Sequence, residues 1–225
     1  MSKKGIDVSY CQKGLNWSAV KSSGYEFAVI RAGNDLKLRF DSEFEYHVEN
    51  AKKYKIPFGV YWYGLALDGE QAKTEAAWCL QKIEKYKSDL QLPVYYDLET
   101  PDALTKGKAS EIAEGFRSVV DTAGYRTGLY CSRGWITKVS KDVVDKFDSI
   151  WIADWGDCCR YTGAYDIWQN GRTPKFGGMA VDEDIMVRDI IASDNNAIAR
   201  EILDHLKTID TTADKIGRAS CRERV

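Results

Sequence analysis

Pro93-Val94-Tyr95-Tyr96-Asp97-Leu98-Glu99-Thr100-Pro101 is the stretch whose reading decides the fold. Its β-branched and aromatic run, bounded by prolines, reads as a buried strand over residues 93–98. Asp97 and Glu99 stand at i and i+2, so both acids leave the strand end on one face. In a barrel of parallel strands that face is the interior, and active sites lie at the C-terminal strand ends. Two carboxylates held together in a partly dry pocket cannot both ionise easily. One pKa rises, which gives a general acid beside an ionised partner. Glycoside hydrolysis needs this division: one acid protonates the leaving oxygen, and a second carboxylate stabilises the cation-like transition state, attacks it or activates water. Taken alone, the D-x-E pattern serves equally well to cap a strand or hold an arginine.

Outward from this strand, short apolar runs alternate with helix-period segments, the mark of βα units. Eight strand candidates appear, at 5–9, 27–31, 57–63, 93–98, 127–131, 150–154, 166–169 and 181–186. Between the early ones lie three apolar stripes at helical spacing. They are Phe44, Val48 and Ala51; then Ala72, Ala76, Leu80 and Ile83; then Ile112, Phe116, Val119 and Ala123, with Gly124 placed to stop the third helix. After Asp154 the helical signal weakens and glycines multiply. The pattern predicts an α/β fold: an irregular TIM-like (β/α) barrel of eight strands with fewer helices in its second half. An open doubly wound sheet is the alternative, but Ser9-Tyr10-Cys11-Gln12 after the first strand is not a glycine-rich phosphate loop. Residues 1–190 form the expected barrel domain and 191–216 a C-terminal helix or linker, with Ile198, Ile202 and Leu206 on one face. The basic, patternless run at 217–225 reads as a disordered or non-native tail.

Acids also stand in the outer strands of this scheme. Asp7 lies between Ile6 and Val8, where a buried strand seldom tolerates a charge without a partner or a task. Asp182 and Asp184 flank Glu183 in the last candidate. Barrel closure makes first and last strands neighbours, so Asp7 and one of these acids meet at one mouth, with Arg31 available to hold one of them.

At 225 residues and 44% apolar, the chain buries one substantial core. A net charge of -2 with no basic face argues against nucleic-acid binding. No apolar run approaches the ~20 residues that span a bilayer, and no signal-peptide pattern precedes Gly5, so synthesis is expected to end in the cytoplasm. The cysteines, Cys11, Cys79, Cys131, Cys158, Cys159 and Cys221, lack metal-ligand spacing and read as buried or free thiols. No metal and no other cofactor is expected. Only His47 and His205 could activate a thiolate or serine, and neither follows a strand end. That weighs against a cysteine/histidine amidase or endopeptidase.

An ordered set of short pieces resembles the glycoside hydrolase family 25 lysozymes, the muramidases of phage endolysins and bacterial autolysins. The pieces are Gly5-Ile6-Asp7-Val8-Ser9 with Gln12, Phe27-Ala28-Val29-Ile30-Arg31-Ala32, Pro57-Phe58-Gly59-Val60-Tyr61 and Tyr96-Asp97-Leu98-Glu99. They continue with Gly128-Leu129-Tyr130-Cys131-Ser132, Trp151-Ile152-Ala153-Asp154-Trp155, Trp168-Gln169 and Val181-Asp182. The resemblance implies cleavage of the β-1,4 bond between N-acetylmuramic acid and N-acetylglucosamine in peptidoglycan strands, by a monomer acting at the bacterial wall. It implies Glu99 as general acid/base. Asp97 would assist at the anomeric carbon, directly or by orienting the substrate's N-acetyl group, with Asp7 and Asp182 as further acids of the site. Tyr61, Tyr63, Tyr130, Trp155, Gln169 and Arg31 are the expected substrate contacts, because aromatic rings stack on sugar faces and their polar tips reach hydroxyls. The third strand departs from the family by continuing as Trp62-Tyr63, where many relatives have histidine then phenylalanine. A barrel that binds wall glycans without cutting them remains the rival within the resemblance.

Overall fold

In a computed structural model that describes residues 2–34, 39–100 and 107–192, side-chain alternation along eight strands sorts the chain into an inside and an outside. The strands are β1 (Lys3–Val8), β2 (Phe27–Asn34), β4 (Phe58–Tyr63), β5 (Val94–Asp97), β6 (Thr127–Ser132), β7 (Ser149–Ala153), β8 (Ile167–Gln169) and β11 (Asp182–Met186). They follow one another in this order around a closed barrel, and β11 returns to pair with β1. Three further two-residue strands lie outside it: β3 (Arg39–Phe40) extends β2, while β9 (Lys175–Phe176) and β10 (Met179–Ala180) form a hairpin.

The interior is filled by Phe27, Val29, Tyr61, Tyr95, Tyr130, Trp151, Ile167 and Met186. The alternate residues, among them Ile6, Val8, Ile30, Val60, Trp62, Tyr96, Leu129 and Ile152, pack outward against the helices. Two inward glycines make this filling possible. A Cβ on Gly5 would sit 2.3 Å from the Phe27 ring, and one on Gly128 would sit 2.2 Å from the Tyr95 ring.

The helices are α1 (Trp17–Ser22), α2 (Phe44–Lys53), α3 (Gly69–Ile83), α4 (Ala109–Thr122) and the single turn α5 (Lys141–Val144). The three expected apolar stripes are the buried faces of α2, α3 and α4, and Gly124 follows α4 with φ +75°. Among the described residues α5 is the one α-helix after β6, so the barrel is helix-poor in its second half, as the sequence predicts.

The strand directions carry one feature the pattern does not announce. Seven strands run parallel, but β11 is antiparallel to both β8 and β1. A parallel return needs a crossover of a dozen or more residues, usually a helix. Here only an irregular segment with the β9–β10 hairpin joins β8 to β11, and the chain comes back the short way. Strand limits shift by a few residues from those expected: β1 begins at Lys3 and stops at Val8, because Ser9 leaves the sheet to cap the 3-10 turn Tyr10–Gln12.

Met1–Ile191 forms one compact unit. The helix expected after Asn195, the tail at 217–225, His205 and Cys221 lie outside the described residues.

Candidate active site

The parallel strands bring their C-terminal ends to one mouth, and the register there is tight. Tyr63, Asp97 and Tyr130 are consecutive partners across β4, β5 and β6. Across the opening Asp7 pairs with Asp182, and Asp184 pairs with both Gly5 and Gln169. The antiparallel sense of β11 is what places Asp182, its first residue, at this end; a parallel strand would have put Met186 there.

Asp97 and Glu99 sit at different depths. The Asp97 side chain is buried, and its Oδ1 accepts no hydrogen bond from the described residues. Burial holds its pKa well above the usual carboxylate range, the charges of Glu99 and Asp7 add to this, and only Arg31 opposes. Glu99 stands exposed at the rim, where partial loss of hydration raises its pKa. The pair is therefore split in depth. Burial and two neighbouring acids raise the Asp97 pKa, while burial alone raises that of Glu99.

Asp7 is held by a network that sequence reasoning found only in part. Its Oδ2 accepts from Gln169 Nε2 at 2.8 Å. Gln169 Oε1 accepts from Tyr130 Oη at 3.0 Å and, more distantly, from the Trp155 indole at 3.5 Å. Asp184, fully buried, accepts from Trp151 Nε1 at 2.8 Å, and its Oδ2 has no hydrogen-bond partner among the described residues. Burial first, then the charge of Asp7, holds the Asp184 pKa well above the usual carboxylate range. Asp7 itself is pushed up to about 7, by burial and then by Asp182. Asp182 is half-buried, with a raised pKa. Of the two acids that the sequence offered as neighbours of Asp7, Asp182 faces it across the strands and Asp184 stands deeper, opposite Gly5.

Arg31 does not hold any of these acids. Its Nε donates to Asp41 Oδ2 at 2.7 Å, and its guanidinium lies 4.5 Å from the Tyr10 ring centre. Asp41 also accepts from the Tyr10 backbone N–H at 2.9 Å. A bulge in β2 between Arg31 and Gly33 marks the place where this side chain leaves the regular register. Asp41 carried no signal, since it precedes α2 in an irregular segment. Tyr10 did carry one: it is aromatic, exposed, and directly follows the end of β1.

Tyr61, Tyr63 and Tyr130 line the inner face, with Tyr61 and Tyr130 edge-on or tilted against Trp151. Trp155 is 72% exposed at the rim. Trp168 faces away, its indole donating to the Asp154 carbonyl at 2.7 Å. Asp154 is committed to Arg160 and Arg133, which hold its pKa down at about 2, with the Arg160 hydrogen bond the larger cause. His47 is buried on α2, accepting from the Trp17 indole and bonding the Ser9 carbonyl. Cys131, near the mouth, is buried and directs its thiol to the Leu98 carbonyl. Among the described residues no three His, Cys, Asp or Glu side chains are grouped to hold a metal ion.

Residues 6–179 match the model of a family described as Glycosyl hydrolases family 25. The chain is 26% identical over 200 residues to Lysozyme M1 of Streptomyces globisporus, covering 80% of this chain and 66% of that one. Its fold is similar to the modular autolysin LytC of Streptococcus pneumoniae, with a TM-score of 0.71 and 21% identity over 82% of this chain and 46% of that one. It is also similar to the bacterial lysozyme of Streptomyces coelicolor, with a TM-score of 0.68 and 22% identity over 83% of this chain and 93% of that one. The chain thus spans just under two thirds of the curated relative and under half of the autolysin.

Proposed function

This chain belongs to glycosyl hydrolases family 25, and on that footing we propose that it is a muramidase. Its substrate is the β-1,4 bond between N-acetylmuramic acid and N-acetylglucosamine in peptidoglycan. One observation carries the reading: Asp97 and Glu99 stand together at the barrel mouth, one buried with an oxygen that no described residue donates to and the other exposed at the rim.

Glu99 is the general acid/base. From the rim it reaches the glycosidic oxygen and gives it a proton as the bond to the anomeric carbon breaks. Asp97 works beneath the sugar. Its Oδ1, which takes no hydrogen bond from the described residues, fits the N–H of the substrate's acetamido group, and such a hydrogen bond favours the carboxylate form. Substrate binding thereby favours the proton on Glu99. The oriented acetamido oxygen, or Asp97 directly, stabilises the positive anomeric carbon. Water then completes the reaction and returns the proton to Glu99. Asp7 and Asp182 supply negative potential for that cation.

Tyr61, Tyr63, Tyr130 and Trp155 offer ring faces and polar tips to the sugars, and Gln169 and Arg31 fix the far wall of the cleft. On this reading the working unit is a monomer. Residues 1–190 are the catalytic unit. The place of action is the bacterial wall. Mass spectrometry of digested peptidoglycan tests the reading. Muropeptides ending in reducing N-acetylmuramic acid support it; free peptide stems or new amino termini refute it.

A further inference from the structure

A carboxylate outside the mouth ties together the two strand ends on which the chemistry depends. Glu75 is fully buried on α3, behind the barrel wall. A buried acid is costly unless donors satisfy it, and the donors of Glu75 are unusual in where they come from. Tyr96 Oη donates to Oε2 at 2.7 Å, and the Leu65 backbone N–H donates to Oε1 at 2.8 Å. Tyr96 is the residue before Asp97, on the opposite face of β5. Leu65 follows Gly64, whose N–H donates to the Asp97 carbonyl at 2.9 Å. The Gly64 carbonyl in turn accepts from Thr100 Oγ1 at 2.5 Å, one residue beyond Glu99. Gly64 packs so closely that a Cβ there would sit 2.4 Å from the Tyr96 ring. The backbone carrying Asp97 and Glu99 is thus clamped to the end of β4 on one side, and through Tyr96 to α3 on the other. Both clamps end on the same carboxylate.

We propose that Glu75 is a positioning residue for the Asp97–Glu99 pair: through Tyr96 and the Gly64–Leu65 backbone it sets the height of both acids at the mouth. It touches no substrate. The inference rests on the muramidase reading above, since it assumes that Asp97 and Glu99 perform the chemistry.

The test compares kcat and KM on soluble peptidoglycan fragments for wild type, Glu75→Gln, Glu75→Ala, Tyr96→Phe and Glu99→Gln, well below each melting temperature. Small displacements of reacting groups cost large factors in turnover, so kcat should fall about tenfold or more in Glu75→Ala while KM stays within about twofold. Glu75→Gln keeps an acceptor for the Leu65 N–H and should recover part of the loss. Tyr96→Phe retains the ring stacked on Phe116, 4.4 Å between centroids, and should show the same kcat-specific defect. Wild-type kcat in Glu75→Ala and Tyr96→Phe, with only a lowered melting temperature, overturns the inference. If Glu75→Ala does not fold, Glu75→Gln and Tyr96→Phe decide on the same criterion. An inactive Glu99→Gln beside unimpaired Glu75 variants rejects this inference alone. A wild type that releases no reducing N-acetylmuramic acid ends rejects the muramidase reading, and this inference with it.

Discussion

Asp7 on β1 and Asp182 on β11 are direct partners across an antiparallel pair at the barrel mouth. Like charges placed directly opposite each other in a sheet are destabilising, and this pair adds to the burial that raises the Asp7 pKa. The mouth also holds Asp97, Glu99 and Asp184, so it crowds acidic groups into a partly dry cleft. A fold keeps such a cluster at a cost in stability, which is reasonable where a positive charge develops during reaction.

Asp7→Asn tests that cost and its use together. A carboxyl whose pKa rises from 3.8 to about 7 on folding favours the fold at low pH, and this contribution is lost as pH rises through about 7. Removing the titration should therefore raise the melting temperature near pH 7, with little change near pH 4. Asparagine can still accept from Gln169. Its neutral side chain also stops raising the Asp97 proton affinity, so the limb of the pH–rate profile governed by the acid pair should move to lower pH. Turnover should drop about tenfold or more as the negative potential weakens. Unchanged kinetics, or a variant that melts lower at pH 7, would show that Asp7 is a structural partner only.

Glu99→Gln should abolish lysis while leaving melting and glycan binding intact, because the side chain is at the rim and holds no described element together. The loss of a general acid is typically ~10²–10⁴-fold. Release of reducing ends from purified wall measures it, and substantial residual activity would reject the acid assignment.

Alkylation of the folded protein should leave it active. The thiols of Cys79 and Cys131 are buried, and burial raises their pKa, so neither presents a thiolate. A small haloacetamide should label Cys11 and Cys158, both exposed, with activity retained. Stoichiometric inactivation mapped to Cys11 would favour a cysteine hydrolase instead.

Trp155→Ala should raise KM for polymeric glycan by roughly three- to tenfold, the scale of one aromatic contact, with kcat and melting temperature little changed. The indole is 72% exposed, and its one side-chain hydrogen bond, to Gln169, is 3.5 Å long. Binding to insoluble wall by sedimentation gives an independent measure; unaltered affinity would remove Trp155 from the cleft.

The alternation Ile6-Asp7-Val8 and Tyr95-Tyr96-Asp97 was enough to say which residues face inward, because period two is a property of the extended backbone itself. The helical stripes were legible for the same local reason, as was the inward pair Asp97 and Glu99. What sequence could not give was decided by strand direction and by depth. The antiparallel return of β11 set Asp182 at the mouth and Asp184 one step beneath, and that choice depends on the short connection packing back against β8 and β1. Arg31 found Asp41, and Glu75 found Tyr96 and Leu65, through approaches between distant segments that no local period encodes. The balance of protons between Asp97 and Glu99 is likewise tertiary. Both acids leave the same strand end, but only the closed barrel buries one and leaves the other at the rim, and the pKa of a carboxyl follows its burial and its charged neighbours.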